Sequence, residues 1–426
     1  MSLDHDALEP ELERIATDLD GLAQFRDSAQ PGWTRTVFSN AYRGSRQWTA
    51  ELMRSAGMDV HSDPAGNIIG RCPGRNRELP VLMAGSHTDT VHGGGRFDGI
   101  VGVLSAIEAV RRLREGGHQL ERDLVIVDFL GEEANEFGIS CIGSRSIAGL
   151  LTVEHLGRAD SSGTSLGSAL ESFGLDPERA IDNAWHQGSV HAYVELHIEQ
   201  GPVLERSGTS IGVVTAIAGI ERLMVSFRGR ADHAGTMPME LRQDALVAAA
   251  RAVLTVEREA CGAPVHGVST TGRIESRPGA FNIVPDEAQI WAEMRSVDRE
   301  WLQGARRRVA ETIAAEAEAQ GVVTAIDWLS DQDPVAVDAD VADHIAASAD
   351  GLGLSWEAVP SGAGHDAAHI AHLAPMGMIF VPSVNGRSHV PEELTHLEDL
   401  GRGAHVLASV LERLDRTPTI SRGVPG

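Results

Sequence analysis

The chain has 426 residues, of which 42% are hydrophobic, and it carries a formal net charge of −25 at pH 7. A chain of this length is too long to fold around one ordinary hydrophobic core, so we expect two domains. The acidity argues against nucleic acids and anionic membranes as partners, because both are themselves negatively charged. The sequence contains no lysine, which excludes Schiff-base chemistry and a P-loop lysine.

The three cysteines, Cys72, Cys141 and Cys261, are far apart and form no Cys-x-x-Cys motif, so we expect reduced thiols. The acidic, amphipathic N-terminus lacks the basic and apolar regions of a signal peptide. No apolar stretch reaches the roughly 20 residues that span a bilayer. These features predict a cytoplasmic protein. The 18 histidines stand against two tyrosines, which suggests a search for a metal site.

The first half of the chain alternates predicted strands and helices. Residues 1–60 have apolar positions at helical spacing, and "NIIGRCPG" and "LPVLMAGSH" are predicted as strands. The segment "IVGVLSAIEAVRRLREGG" predicts a helix that stops at its Gly-Gly pair. Two more buried strands, "RDLVIVDFLG" and "SVHAYVELHIEQG", flank helical segments and an acidic Gly/Ser stretch at 161–189. This alternation predicts a largely parallel sheet with helices on both faces.

After about residue 212 the pattern changes to strand–helix–strand–strand–helix–strand. That order is typical of a small α+β domain of the split-βαβ, ferredoxin-like kind. The first pattern then resumes with the buried strand "MGMIFVPS" and the closing helix "LEDLGRGAHVLASVLERL". We therefore expect an α/β fold in which one discontinuous domain, residues 1–212 and 331–426, has a mostly parallel central sheet covered by helices. A smaller α+β domain at 213–330 interrupts it.

Histidines and carboxylates follow the ends of predicted strands in the larger domain. In open α/β sheets, ligands bind outside the carboxyl ends of the strands, and these side chains suit a divalent cation. Each residue alone has a more common interpretation, since a His-x-Asp sequence occurs by chance and a Glu-Glu pair is usually solvated. The joint pattern favours a metal site with five ligands and a spare glutamate, drawn from His87, Asp98, Glu132, Glu133, His197 and His389.

Six motifs carry a resemblance that runs in order from about residue 40 to residue 420. They are "GSHTDTVHGGGRFDGIVGV", "GEEANEFG", "HIEQGPVLE", "RADHAGTMPM", "GAGHDA" and "SHVPEE". With these motifs the chain resembles the M20 metallopeptidase clan, specifically its amidohydrolase branch of N-carbamoyl-L-amino acid hydrolases, β-ureidopropionases and allantoate amidohydrolases. "HIEQGP" separates this branch from the peptidase branches, which usually place a carboxylate where His197 stands.

The resemblance implies two divalent ions per subunit, with zinc first and manganese, cobalt or nickel as alternatives. The implied ligands are His87, Asp98 and His197 for one ion, and Asp98, Glu133 and His389 for the other, with Asp98 bridging. Glu132 would be the general base of the catalysed hydrolysis. Asp89 would support His87 and fix its tautomer.

For the smaller domain, the resemblance implies a lid through which the protein forms a homodimer. His233 would polarise the substrate's carbonyl group, and Arg295 with Asn282 would hold the substrate's carboxylate. Whether these three residues act in their own site or in the partner subunit's site stays open. The substrate contacts implied in this way are Gln200, His233, Asn282, Arg295, Gly362 and Gly364.

Two positions fall outside what the resemblance implies. Glu136 in "EEANEFG" stands where better-known members of the branch have a basic residue. This departure leaves the substrate's side group open but does not affect the ligands. His92, in the glycine-rich "HGGG" stretch, has no implied role.

The sequence therefore predicts a dinuclear amidohydrolase that cleaves a linear, non-peptide C–N bond in a small molecule bearing a carboxylate. The first expectation is hydrolysis of N-carbamoyl-L-amino acids to the amino acid, CO₂ and ammonia. Allantoate is the second substrate, and an aminoacylase or peptidase activity is the third, disfavoured by His197. A non-catalytic binding protein of the same fold is the competing hypothesis. Such a protein should have lost ligands or the base, whereas all six positions are filled here.

Overall fold

The structure is a computed structural model that describes residues 5–264 and 266–420. Its α-helices are α1 (His5–Leu22), α2 (Asn40–Ser55), α3 (Ile100–Glu115), α4 (Ile142–Ile147), α5 (Val153–Gly157), α6 (Leu166–Phe173), α7 (Pro177–Ile181), α8 (Val203–Ser207), α9 (Ala245–Cys261), α10 (Arg299–Glu318), α11 (Ala339–Gly351), α12 (Asp366–Ile370) and α13 (Leu397–Asp415). None of these described helices is both long and apolar enough to cross a lipid bilayer.

The β-strands and two short 3₁₀ turns complete the secondary structure. The strands are β1 (Asp59–Ser62), β2 (Ile68–Cys72), β3 (Val81–His87), β4 (Leu124–Phe129), β5 (Val190–Ile198), β6 (Ile211–Ile217), β7 (Gly219–Arg228), β8 (Val268–Arg277), β9 (Glu287–Ser296), β10 (Val323–Gln332), β11 (Val335–Ala336), β12 (Trp356–Ser361) and β13 (Met376–Val381). The 3₁₀ turns are Met239–Leu241 and Val384–Gly386.

The chain packs into two compact units. The first comprises residues up to Thr215, Val337–Val359 and residues from His365 onward, and the second comprises Ala216–Ala336 and Pro360–Gly364. The second unit thus includes Pro360–Gly364, which differs from the boundaries drawn from the sequence. Backbone contacts explain the difference, because the N–H of Ala218 donates to the carbonyl of Ser361 at 2.9 Å. In addition, Nη1 of Arg295 donates to the carbonyl of Gly362 at 3.3 Å.

In the first unit, the strands of the sheet lie in the order β1-β2-β4-β3-β5-β13-β6. The central strands β4, β3, β5 and β13 are parallel, whereas β1, β2 and β6 pair antiparallel at the edges. The fold is therefore mixed α/β with a mostly parallel central sheet. The expected mostly parallel central sheet is confirmed, and its edge strands pair antiparallel. The connection 63–67 between β1 and β2 is short, and a short connection can join only antiparallel strands.

The core of the first unit lies against the central strands. Strands β3, β4 and β5 are buried along their whole length, as expected for parallel strands covered on both faces. Helix α3 packs with α1 and α13 in the same apolar cluster, to which Leu104, Leu196 and Leu407 belong. The predicted helix is confirmed, and it ends before Gly116. Burial of each such leucine stabilises the fold by about 1.5–3 kcal/mol.

The second unit is built on a four-stranded antiparallel sheet in the order β10-β7-β9-β8. Numbered within the unit, this order is 4-1-3-2, which matches the split-βαβ pattern predicted from the sequence. Helices α9 and α10 contribute to the same apolar core, with Phe227, Ile290 and Val309 among the buried residues. Each helix begins after an aspartate cap, Asp244 for α9 and Asp298 for α10, whose carboxylate accepts otherwise unpaired backbone N–H groups.

A buried carboxylate joins two helices of the first unit and gives a stability prediction. Glu108 of α3 is 1% exposed and accepts hydrogen bonds from Nε of Arg14 at 3.0 Å and from Nη1 of Arg111 at 3.1 Å. Glu108→Gln weakens both pairs and leaves two partly buried guanidinium groups, so we expect the free energy of unfolding to fall by about 3 kcal/mol. Urea denaturation measures the loss. Glu115→Gln is the matched control, because Glu115 is 61% exposed and should change stability by less than about 0.5 kcal/mol. Equal effects of the two substitutions would contradict the prediction.

Candidate metal centre

His87 is the last residue of the buried strand β3. Its Nδ1 lies 3.1 Å from the carbonyl oxygen of Asp89, and a carbonyl can only accept, so Nδ1 carries the proton. In the uncharged ring the other nitrogen, Nε2, is then an acceptor, and it lies 3.6 Å from Oε2 of Glu132. Gly99 adopts a left-handed backbone (φ 68°), and a Cβ there would lie 2.2 Å from Nε2 of His87. The glycine therefore lets the loop after β3 pass over the imidazole ring.

Asp98 lies at the centre of the predicted ligand set. Its Oδ1 is 3.1 Å from Nε2 of His197, and its Oδ2 is 3.1 Å from Nε2 of His389. Oδ2 also accepts hydrogen bonds from Nε2 of Gln200 at 2.7 Å and from the hydroxyl of Ser388 at 2.9 Å. One carboxylate thus faces two imidazoles on opposite sides, an arrangement in which it can bridge two cations.

The neighbouring Glu132 and Glu133 face different histidines. Oε1 of Glu133 lies 3.6 Å from Nε2 of His389, whereas Glu132 faces His87. Their orientation is fixed by Asp89, whose two carboxylate oxygens accept the backbone N–H groups of Glu132 at 3.2 Å and of Glu133 at 3.1 Å. Asp89 therefore links the loop after β3 with the loop after β4.

Two overlapping groups in the described residues have the spacing of a metal site. His87, Asp98 and His197 form one group, and Asp98, Glu133 and His389 form the other, with all ligand atoms of each group within 4.8 Å of one another. A third group, Glu195 with His197 and His365, has similar spacing. The oxygens of Glu195, however, already accept hydrogen bonds from the hydroxyls of Ser86 and Tyr193 and from the N–H of Ala367, at 2.8, 2.9 and 3.2 Å respectively.

The first two groups fit divalent cations by the chemistry of their facing atoms. Nδ1 of His197 donates to the carbonyl of Ile198 at 2.9 Å, and Nε2 accepts from the N–H of Gly99 at 3.2 Å. Nε2 is thus an acceptor that faces a carboxylate oxygen of Asp98, as Nε2 of His87 faces Glu132. Facing acceptors repel each other unless a proton or a metal cation lies between them. Imidazole nitrogen and carboxylate oxygen are the ligands that zinc and similar divalent ions take.

The pKa values of the site residues also indicate that their negative charges favour a bound proton or cation. Burial and, next, the charge of Asp98 raise the pKa of Glu133 to about 7. Burial lowers the pKa of His87, but the carboxylates of Glu132 and Asp89 outweigh burial and raise this pKa well above its usual value. The acidic groups thus hold protons on their neighbours, and a cation bound among them would take over that role.

Sequence reasoning missed Glu393, which ties two of the loops together. This residue is 3% exposed. Its Oε1 accepts the N–H groups of Phe97 at 2.9 Å and Asp98 at 3.0 Å, and its Oε2 accepts the hydroxyl of Ser388 at 2.7 Å and the N–H of His389 at 3.3 Å. The "SHVPEE" motif contains two glutamates, and nothing in the sequence distinguishes the buried one from its exposed neighbour.

Sequence reasoning also missed Cys141, which was interpreted only as a reduced thiol. No disulfide joins any two of the three cysteines. The sulfur of Cys141 lies 3.5 Å from Oε1 of Glu132, and its backbone N–H donates to the carbonyl of Glu132 at 2.9 Å. The side chain of Glu132 is therefore held between this thiol and His87.

Gln200 lies in the first unit beside the predicted ligands, whereas the other predicted substrate contacts belong to the second unit. There, the N–H of Ala234 donates to the carbonyl of Asn282 at 3.0 Å, which brings the loops of His233 and Asn282 together. His233 and Asn282 are exposed. Arg295 donates to Oε1 of Glu293 at 2.8 Å and to the carbonyl of Gly362. Gly362 and Gly364 lie in the segment Pro360–Gly364, which belongs to the second unit. His92 is exposed on the first unit, outside the ligand groups.

The chain matches the family described as Peptidase family M20/M25/M40 over residues 82–413, and it belongs to this family. The fold and the site thus define a metal-dependent hydrolase that acts on linear amides. The resemblance inferred from the six motifs is confirmed.

The chain is also similar to proteins whose names state the reaction that they catalyse. An N-carbamoyl-L-amino-acid amidohydrolase from Paenarthrobacter aurescens is 38% identical, covering 95% of this chain and 98% of the relative. A ureidoglycolate hydrolase from Oryza sativa subsp. japonica is 36% identical, covering 94% and 84%. An allantoate amidohydrolase from Bacillus subtilis (strain 168) is 32% identical, covering 94% and 97%. A crystal structure of an amidase of the hydantoinase/carbamoylase family from Burkholderia multivorans superposes with a TM-score of 0.86 at 31% identity, covering 96% and 98%. The protein is accordingly an amidohydrolase of the M20 family.

The position of Glu393 gives a prediction about metal affinity. In Glu393→Gln the new amide nitrogen cannot accept a hydrogen bond, so the loops of Asp98 and His389 lose part of their support. We expect about 10- to 100-fold weaker binding of divalent metal, the usual effect of removing a residue that orients ligands. Metal titration followed by calorimetry measures the change. Glu392→Gln is the matched control, because Glu392 is exposed and, within the described part of the chain, pairs only with Arg387. Equal metal affinities in the two variants would contradict the prediction.

Proposed function

We propose that this protein is a dinuclear amidohydrolase that converts N-carbamoyl-L-amino acids to the amino acid, CO₂ and ammonia. The observation that carries the proposal is the buried Asp98 carboxylate, which lies 3.1 Å from both His197 and His389. The relative from Paenarthrobacter aurescens, which bears this activity in its name, supports the choice of substrate.

The proposed ligands divide between two cations. His87, Asp98 and His197 would hold the first, and Asp98, Glu133 and His389 would hold the second, with zinc the first choice and manganese, cobalt or nickel as alternatives. Ions of this kind activate water at neutral pH and polarise the carbonyl oxygen of the substrate. Gly99 and Glu393 support the proposal, because they fix the loop that carries Asp98 against His87 and His389.

Glu132 is the proposed general base. Its Oε1 faces the thiol of Cys141 and its Oε2 faces His87, so the carboxylate is held beside the ligands rather than among them. It takes a proton from water as the water oxygen bonds to the carbamoyl carbon, and it gives that proton to the leaving nitrogen as the C–N bond breaks. The carbamic acid released by this cleavage decomposes to CO₂ and ammonia.

The remaining proposed roles concern substrate orientation. Arg295 and Asn282 hold the substrate's carboxylate, and His233 polarises its carbonyl group, in the same subunit or across a homodimer formed through the second unit. Gln200, Gly362 and Gly364 complete the contacts. The guanidinium of Arg295 is bound by Glu293, so a substrate carboxylate would have to compete with this side chain. The planar fork of the guanidinium favours a carboxylate that it binds through two hydrogen bonds.

Allantoate is the second candidate, because a relative with this activity in its name is 32% identical. The ureidoglycolate hydrolase from rice adds a third small molecule with a ureido group. All three substrates present the same N–CO–NH₂ group near a carboxylate, so the same residues can serve each of them. Peptidase or aminoacylase activity is less favoured, because His197 stands where the peptidase branches usually have a carboxylate.

A substrate panel tests the proposed function. Ammonia release is measured from N-carbamoyl-L-amino acids, allantoate and ureidoglycolate, after chelation and after addition of zinc, manganese, cobalt or nickel. We expect the carbamoyl amino acids to have the highest kcat/KM, the chelated protein to be inactive, and the α-amides of the same substrates to be hydrolysed poorly because they lack the carboxylate. Full activity in excess chelator, or equal turnover of acid and amide, would overturn the proposal.

The two glutamates give a second test. Glu132→Gln should keep the metal and lower kcat by about 10²- to 10⁴-fold, because it removes only the general base. Glu133→Gln should instead lose metal, because it removes a ligand. Metal analysis of both purified variants, with kcat measured at saturating metal, separates the two roles. Equal loss of metal from both variants would mean that the roles are assigned wrongly.

A further inference from the structure

A cavity of about 670 Å³ opens in the first unit beside the metal ligands. Asp89 and Glu133 form part of its wall, so the cavity begins at the site itself. Its volume lies within the 300–1,000 Å³ of small-molecule sites. The N-carbamoyl group and the carboxylate are common to all proposed substrates, and only the side group distinguishes them. A cavity next to the reacting bond is therefore the place where the protein can distinguish one substrate side group from another.

Three aromatic rings form the apolar part of the cavity wall. Phe38 makes edge-to-face contacts with Phe137 at 6.0 Å and with Phe173 at 5.5 Å between ring centroids. The backbone of Phe38 adopts φ 64°, which is rare for a bulky side chain and costs about 1–3 kcal/mol. The surrounding contacts thus hold this ring in the wall against its backbone preference. Such a wall favours a long apolar side group over a short one.

The charges of the cavity wall are unbalanced towards acid. Arg43 lines the cavity, but its guanidinium lies over the ring of Phe173 at 4.1 Å and donates to the carbonyl of Phe173 at 2.9 Å. Asp160 accepts the hydroxyl of Ser162 at 2.7 Å within its own turn. Glu136 is exposed, lines the cavity, and has no ion-pair or hydrogen-bond partner among the described residues. Its carboxylate is therefore free to attract a cation from solution or from a ligand.

Glu136 is also close enough to act on a bound substrate. It follows Glu133 by three residues, so their Cα atoms are at most about 11 Å apart. A side group with four or five atoms in line, anchored at the reacting bond, can cross about half of that distance, and the side chain of Glu136 can extend towards it. His92, for which the sequence implied no role, lines the same cavity.

Resting on the function proposed above, we propose that this cavity holds the substrate's side group and selects long apolar groups that end in a cation. Ammonium and guanidinium side groups are the class that fits, with the methylene chain against the phenylalanines and the charge towards Glu136. A side group that ends in a carboxylate is disfavoured, because it would face Glu136 with the same charge. The acidic residue at 136 thereby becomes a determinant of specificity.

Matched substrates test this selection through kcat/KM. N-carbamoyl-L-lysine, N-carbamoyl-L-norleucine and N-carbamoyl-L-glutamate offer a cation, an uncharged chain and an anion. We expect the wild-type order to be lysine, then norleucine, then glutamate. Glu136→Gln should lower kcat/KM for the lysine substrate by up to about fivefold, the upper range for a pair of opposite charges in contact with water, and should leave norleucine unchanged. Glu136→Arg should reverse the order of lysine and glutamate.

Two further variants serve as controls. Glu154→Gln removes an exposed carboxylate outside the cavity and should leave all three values unchanged. Ala169→Phe fills part of the cavity, since Ala169 lines it. This variant should lower kcat/KM for norleucine relative to N-carbamoylglycine, which has no side group, and the ratio is independent of the amount of folded enzyme.

The outcomes separate the two proposals. If norleucine is hydrolysed but the Glu136 variants leave the order of the three substrates unchanged, the cavity does not select the side group and this inference is overturned, while the proposed function stands. If Ala169→Phe leaves the norleucine-to-glycine ratio unchanged, the side group does not enter the cavity, and the inference is likewise overturned. If the metal-loaded wild type hydrolyses no carbamoyl amino acid, both proposals are wrong.

Discussion

The structure of the site depends on one buried carboxylate, that of Asp98. Each of its oxygens faces an imidazole at 3.1 Å, and it is only 5% exposed. Removing a carboxylate from water costs several kcal/mol unless partners replace the lost hydration. Here Gln200 and Ser388 donate to one oxygen, and the backbone N–H of Asp98 is itself held by Glu393. The surrounding loops are therefore arranged to satisfy this one group, and the same arrangement fixes the proposed ligands.

The parallel centre of the sheet explains why residues far apart in the chain meet around Asp98. Strands β4, β3, β5 and β13 are consecutive neighbours, so their carboxyl ends lie at one edge of the sheet. His87 ends β3, His197 lies near the end of β5, Glu132 and Glu133 follow β4, and His389 follows β13. The antiparallel strands at the two sides extend the sheet without contributing a proposed ligand. The βαβ architecture thus places the proposed metal-ligating side chains together at the edge of the sheet where ligands of such folds bind.

The chemistry of the family and the choice of substrate rest on different parts of the chain. Metal-dependent hydrolysis of linear amides follows from membership of the M20 family, and the first unit contains groups of residues that could hold the metal. In the proposals made above, selection of the substrate depends on the second unit and on the cavity beside Glu133. Glu136 lines this cavity and is not among the proposed ligands, so a change of its charge would alter the proposed selection without removing a ligand. This separation offers a physical reason why relatives of similar identity carry the names of different ureido substrates.

The sequence by itself determined the elements and the identity of the chemistry-bearing residues, because these depend on local patterns. Periodicity predicted β3, α3 and the succession of strands and helices in the second unit, and the motifs predicted the family. The antiparallel edges of the central sheet were not predicted, since strand direction depends on which neighbours pair. Nor could the sequence choose Glu393 over Glu392, or bring Cys141 to Glu132, because burial and approach are set by elements distant in the chain. It also left Glu136 as an unexplained departure. Only the tertiary structure put that carboxylate in a cavity wall with three phenylalanines, because a cavity exists only once separate segments have packed around it.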